Sequence, residues 1–160
     1  MTDHLLFALK LSSALGCGLI AGAFFAFSSF VMKALARLQP PQGVAAMQSI
    51  NTAVINPWFL GVFVGTAAAC VALAVLSIVH WHQPGAAYLL AGSLLYLVGT
   101  FLVTMALNVP LNDALAAVEP SSVEGGRLWA RYLSEWTRWN HVRTVAALAA
   151  TASFILSLCR

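Results

Sequence analysis

Four stretches of this chain are apolar for the length of a bilayer-crossing helix, and that limits what it can fold into more than any other feature. A hydrocarbon core about 30 Å thick takes about 20 apolar residues per helix. Runs at about 5–32, 58–79, 86–107 and 139–158 meet that requirement. The charge content agrees. Only 8% of the residues are Asp, Glu, Lys or Arg, against about a quarter in a soluble domain. Such a chain has too little polar surface to solvate a globule. The expected fold is therefore all-α, a single transmembrane domain over residues 1–160 built as an integral membrane four-helix bundle. The first run is too long for a cleavable leader.

The ends of the runs are punctuated. Asn56-Pro57 has the form of an N-cap followed by proline at the first helical position. Trp58 and Trp81 bracket the second run as interface anchors. The short "HWHQPG" makes spans two and three antiparallel neighbours. Residues 38–56 contain no charge. Val44, Met47, Ile50 and Val54 fall there at helical spacing, with Gln48 and Asn51 beside them. This predicts an extra interfacial helix between spans one and two. After "PSSVEGG", a segment from about Arg127 reads as a helical extension leading straight into span four.

The basic residues set an orientation. Lys10 and Arg160 lie on the face of the two termini. Lys33, Arg37, Arg127, Arg131, Arg138 and Arg143 lie on the other, which the positive-inside rule makes cytoplasmic. The expected location is a bacterial inner membrane with both termini outside. A net charge of +3 reads as orientation bias and not as a nucleic-acid footprint. In span one, Ala14, Gly18, Gly22 and Ala26 recur every four residues. Such a stripe lets another backbone approach, within the chain or in a homo-oligomer through the Gly18/Gly22 face. Cys17, Cys70 and Cys159 read as small packing residues.

Polar residues concentrate at one end. "WTRWNHVR", residues 136–143, opens span four. On one helix Trp129, Trp136, Asn140 and Arg143 share a face. An interfacial belt also uses tryptophan and arginine, but it does not explain Asn140. In span three, Ser93, Thr100, Thr104, Asn108 and Asn112 form a stripe that ends in "NVPLN", where Pro110 is expected to break the helix. Unpaired amides in hydrocarbon cost several kcal/mol, so they must face protein, water or a ligand. Gln48, Asn51, Asn56, Asn108, Asn112, Asn140 and Arg143 are expected to converge, with tryptophan walls, into a site for a flat, partly polar aromatic or phenolic molecule. Alternatives are a non-catalytic binding or transport protein and an accessory membrane subunit. An ion path would show carboxylates inside the spans, and all five acids lie outside them. His80 and His82 make a poor metal pair, so no metal site is expected.

"MQSIN", "NVPLN" and "WTRWNHVR", threaded through four spans, resemble the anthrone oxygenase-like membrane proteins. Asn108, Pro110, Asn112, Trp136, Asn140 and Arg143 match the motif positions. The resemblance implies a four-helix membrane protein related to enzymes that oxidise anthrones to anthraquinones with dioxygen as co-substrate and no other cofactor. On that reading Arg143 with Asn108 or Asn112 holds an oxyanion. Trp129 and Trp136 stack on the rings. His141 is the candidate base. Gln48, Asn51, Asn56 and Asn140 complete the binding site, and membrane lipid surrounds the protein.

Overall fold

The computed structural model describes residues 3–160, and every described element is helical. Four helices are long and apolar enough to cross a membrane: α1 (Asp3–Leu35), α3 (Pro57–Val79), α4 (Ala86–Ala116) and α5 (Val123–Leu158). A shorter helix, α2 (Pro40–Ala53), lies between the first two. Each long helix packs on its two sequence or topological neighbours, in the cyclic order α1–α3–α4–α5. This is the four-helix bundle with an added helix that the hydropathy pattern implies.

Local chemistry sets the boundaries. Asn56 caps α3, its side-chain oxygen accepting from the N–H groups of Trp58 at 3.1 Å and Phe59 at 3.0 Å. Ser122 caps α5 by accepting from Gly125 N–H. The hairpin between α3 and α4 turns at Gly85, whose φ of +83° disfavours a residue with a Cβ. Apolar attraction contributes little between helices in lipid, so close packing has to hold them. At Gly99 on α4 an added Cβ would sit 2.5 Å from that of Ala146 on α5. In α1, Gly18 approaches Thr151 of α5, whereas Gly22 meets nothing within 4 Å.

Two helices change register at the height of the polar residues. Met32 N–H bonds to Phe27 O in α1, and Val103 to Val98 O and Val109 to Thr104 O in α4, each across five residues. Such π-type turns are rare and recur at functional sites. They correct one expectation: Pro110 does not end the third span. A proline ring clashes with the carbonyl four residues back, and the widened turn at Thr104–Asn108 just before it makes room. The helix therefore continues to Ala116.

α5 has 36 residues, about 54 Å at 1.5 Å per residue. That exceeds a hydrocarbon core of about 30 Å, so its first turns project beyond the apolar layer. Two apolar cores result. One lies along the spans around Cys17, Phe24, Phe63, Tyr96 and Phe154. The other gathers Met32, Val44, Met47, Leu115, Trp129, Tyr132 and Trp136 under α2.

Candidate functional site

Between these two cores lies a polar layer. On α5 the chain passes from Trp136 through Asn140 and Arg143 to the apolar Ala147 within three turns. On α4 it passes from Tyr96 through Thr100, Thr104 and Asn108 to Leu111. Asn108 and Asn140 are fully buried, and Arg143 is 5% exposed. The layer is built from helix faces, which hold side chains more rigidly than loops do.

Asn140 is its organiser. Its amide donates to Phe24 O at 2.8 Å and to Ser28 Oγ at 2.7 Å, tying α5 to α1. Its oxygen accepts from Arg143 Nε at 2.9 Å. Thr144 donates to Asn140 O, which leaves Ser28 to donate to Thr144 at 3.1 Å. Across the layer, Thr100 donates to Arg143 O and Asn108 donates to Trp136 O.

Arg143 points inward and does not snorkel. Its guanidinium carbon lies 3.8 Å from the centre of the Phe24 ring and 4.8 Å from that of Trp136. Nη1 reaches Thr104 Oγ1 at a long 3.4 Å. The one salt bridge among the described residues is Arg131–Glu135 on the surface, so Arg143 carries a buried charge with no carboxylate partner there. Burying a charge costs several kcal/mol unless it is compensated. Two ring faces and one good hydrogen bond compensate it in part. In the same layer Asn108 Oδ1 is buried with no hydrogen-bond partner. A cation short of an anion and an amide oxygen short of a donor together suit a ligand carrying both an oxyanion and a hydroxyl.

The aromatic residues are arranged differently from the expectation. Trp129, Tyr132 and Trp136 stack on one another at 5.8 and 5.5 Å with nearly parallel rings. Their faces are thus largely used by each other. Asn112 Oδ1 fixes two of them, accepting from Tyr132 Oη at 2.7 Å and Trp136 Nε1 at 2.8 Å. Asn51 donates to Tyr132 Oη from α2 at 3.4 Å. Gly43 of α2 covers Trp129 so closely that an added Cβ would lie 2.8 Å from the ring.

The sequence-derived residues therefore separate. Arg143, Asn140, Asn108 and Trp136 share the layer, and Asn112, Asn51 and Trp129 belong to the adjoining aromatic stack. Arg143 does not bond Asn108 or Asn112. Its acceptor is Asn140, three residues back on the same helix and already in reach, while the Asn112 oxygen is filled by two donors. Gln48 bonds the carbonyls of Leu115 at 2.8 Å and Val118 at 3.0 Å, satisfying the end of α4 and anchoring α2. Asn56 is occupied as the α3 cap. His141 is exposed on the outer face of α5, away from the layer. Thr104 joins the site from the polar stripe of span three, and Phe24, Ser28 and Tyr132 belong to it although the sequence pattern did not point to them. Tyr132 had a signal, lying between Trp129 and Trp136 on their face. The others had little, being ordinary residues of apolar spans.

The family model for anthrone oxygenase matches residues 57–153, more than half of the chain. The chain belongs to the anthrone oxygenase family. The matched segment holds α3, α4 and most of α5, and so carries Asn108, Asn112, Trp136, Asn140 and Arg143. The α1 and α2 walls of the layer lie outside it. No curated protein and no solved structure gives a significant match.

Proposed function

We propose that this family member binds a flat phenolic molecule of the anthrone type in the polar layer and oxidises it with dioxygen. The observation that carries this reading is Arg143, a buried cation held between two aromatic rings with no carboxylate among the described residues to neutralise it. Such a group favours a ligand that develops negative charge on oxygen.

An anthrone has an acidic CH₂ between two rings, conjugated to a carbonyl. Loss of a proton from that carbon places negative charge on the carbonyl oxygen. Arg143, oriented by Asn140, stabilises that charge where it develops. The electron-rich carbon reduces dioxygen and forms a C–O bond, and the resulting peroxide anion takes up the proton released in the first step, giving a hydroperoxide. Loss of the remaining C–H proton with cleavage of the O–O bond then yields a ketone and water. One oxygen atom ends in the anthraquinone and the other in water. The protein's contribution is binding, oxyanion stabilisation and exclusion of bulk water by the two apolar cores. Asn108 Oδ1 is available to accept from a ring hydroxyl. His141, exposed and off the layer, has no part in this scheme.

We place the protein in a bacterial inner membrane with both termini outside, on the strength of the basic residues Lys33, Arg37, Arg127, Arg131 and Arg138 at the opposite end. The reading is tested by turnover of anthrone by the purified protein. Wild type is expected to accelerate anthraquinone formation over the spontaneous rate. Arg143→Lys keeps the charge but loses the planar fork, and is expected to lose most of that acceleration. Equal rates in the two proteins would return Arg143 to a structural role.

A further inference from the structure

A ligand must reach a cation that is sealed on most sides, and the seals differ in kind. Between α1 and α5 the wall is hydrogen-bonded, through Asn140 to Phe24 O and Ser28 and through Ser28 to Thr144. Between α4 and α5 it is closed by the Gly99–Ala146 approach and by the bonds of Thr100 and Asn108 to the α5 backbone. Toward the end of the bundle the stacked Trp129, Tyr132 and Trp136 stand in the way, with α2 over them. Between α3 and α4 Tyr96 donates to Phe63 O at 3.0 Å, which leaves the seam between α1 and α3. There, at the height of the layer, no side-chain hydrogen bond joins the two helices among the described residues. What closes it is phenyl rings. Phe24 meets Phe63 edge-on at 6.5 Å, Phe63 stacks on Phe101 at 5.1 Å, and Phe59 stacks on Phe63 at 6.0 Å. Phe59 and Phe101 are half-buried. Beyond Ala26, α1 turns its packing toward α5 and away from α3.

We propose that Phe24, Phe59, Phe63 and Phe101 form a lateral aromatic portal through which a planar, lipophilic phenol passes from the bilayer to Arg143. This rests on the reading of Arg143 as the anion-holding group. Phenyl rings part by rotamer changes that break no hydrogen bond, whereas the other walls require hydrogen bonds to break or helices to separate. The rings also suit the cargo. A flat neutral molecule stacks on each in turn, and Phe24, whose face already carries the guanidinium, hands it to the cation. The route selects for bilayer solubility as well as shape, so a permanently charged analogue is excluded even if its rings fit.

The test uses the full chain in phosphatidylcholine vesicles and alizarin, a hydroxyanthraquinone whose visible band reports phenolate formation. Association is followed by stopped-flow absorbance. Phe59→Trp, which plugs the mouth of the portal, is expected to slow association about tenfold, and Phe59→Ala to speed it. Sulfonated alizarin, which does not enter the bilayer, is expected to bind at least about tenfold more slowly than alizarin. Arg143→Lys reads the site itself and is expected to lose affinity. Wild-type association rates in both Phe59 variants, with affinity lost in Arg143→Lys, overturn the portal and leave the site standing. Equal rates for the two probes overturn it as well. Wild-type affinity in Arg143→Lys overturns the site and the portal together. Should Phe59→Trp not fold, Phe59→Ala and the sulfonated probe decide the matter.

Discussion

Replacing Arg143 by methionine separates a binding cation from a structural one. The side chain is buried, so its charge costs several kcal/mol to desolvate. Against this stand one charged hydrogen bond to Asn140 at 2.9 Å, worth about 1.5–3 kcal/mol, and two ring faces at about 1–2 kcal/mol each. The 3.4 Å contact to Thr104 adds little. Cost and compensation nearly cancel. Methionine removes both and keeps most of the volume. It leaves the Asn140 oxygen without its donor, a penalty of about 1–3 kcal/mol. The expected loss of stability is therefore only about 1–3 kcal/mol, against about 3–5 kcal/mol for breaking a buried ion pair. Binding responds differently. Loss of one charge-assisted hydrogen bond to a phenolate, about 1.5–3 kcal/mol, weakens affinity roughly 10- to 100-fold. Thermal unfolding in detergent, with and without alizarin, reads both effects. Ligand at about 100 times the wild-type Kd stabilises wild type by about 2.7 kcal/mol and Arg143→Met, with its weaker affinity, by only about 0.4–1.4 kcal/mol. An Arg143→Met protein that fails to fold, or that keeps the full ligand shift, refutes this assignment.

Thr104→Glu offers Arg143 an internal counter-ion, and is expected to abolish alizarin binding by isothermal titration while the helical circular dichroism is retained. Gly43→Val forces a side chain into the Trp129 ring. The overpacking is expected to cost about 1–3 kcal/mol and to change the near-ultraviolet dichroism of the stacked aromatics. His141→Ala is expected to keep anthrone turnover within about twofold, because a general base is worth far more than that when removed. A loss of a hundredfold or more would bring His141 back into the chemistry.

The four spans were legible because hydropathy over 20-residue windows and cap chemistry at Asn56-Pro57 do not depend on tertiary contacts. The uncharged stretch before Asn56 and the tryptophan-rich approach to span four likewise announced α2 and the long α5. The inward set of Asn108, Asn140 and Arg143 could be read too, since buried amides and cations are costly unless they meet something. Their pairing was not legible. Asn140 had to be placed by its bonds to Phe24 O and Ser28 before it could be seen to serve Arg143. Phe24 could not be told from Phe25, Phe27 or Phe30 in α1, because the face that turns inward depends on how α1 lies against α5. The π-type turns were hidden for a similar reason. In α4 the turn at Thr104–Asn108 comes just before Pro110, and only the folded bundle shows that the helix survives Pro110.

Oxygen uptake measured together with anthraquinone formation tests the central claim most directly. Purified wild-type protein in detergent is given anthrone in air-saturated buffer, with Arg143→Lys and protein-free samples alongside. Wild type is expected to consume one dioxygen per anthraquinone formed, well above the spontaneous rate, with the acceleration largely lost in Arg143→Lys. Oxygen uptake in wild type no faster than in the protein-free sample, or equally fast in Arg143→Lys, would contradict the assignment of the buried arginine to oxyanion stabilisation.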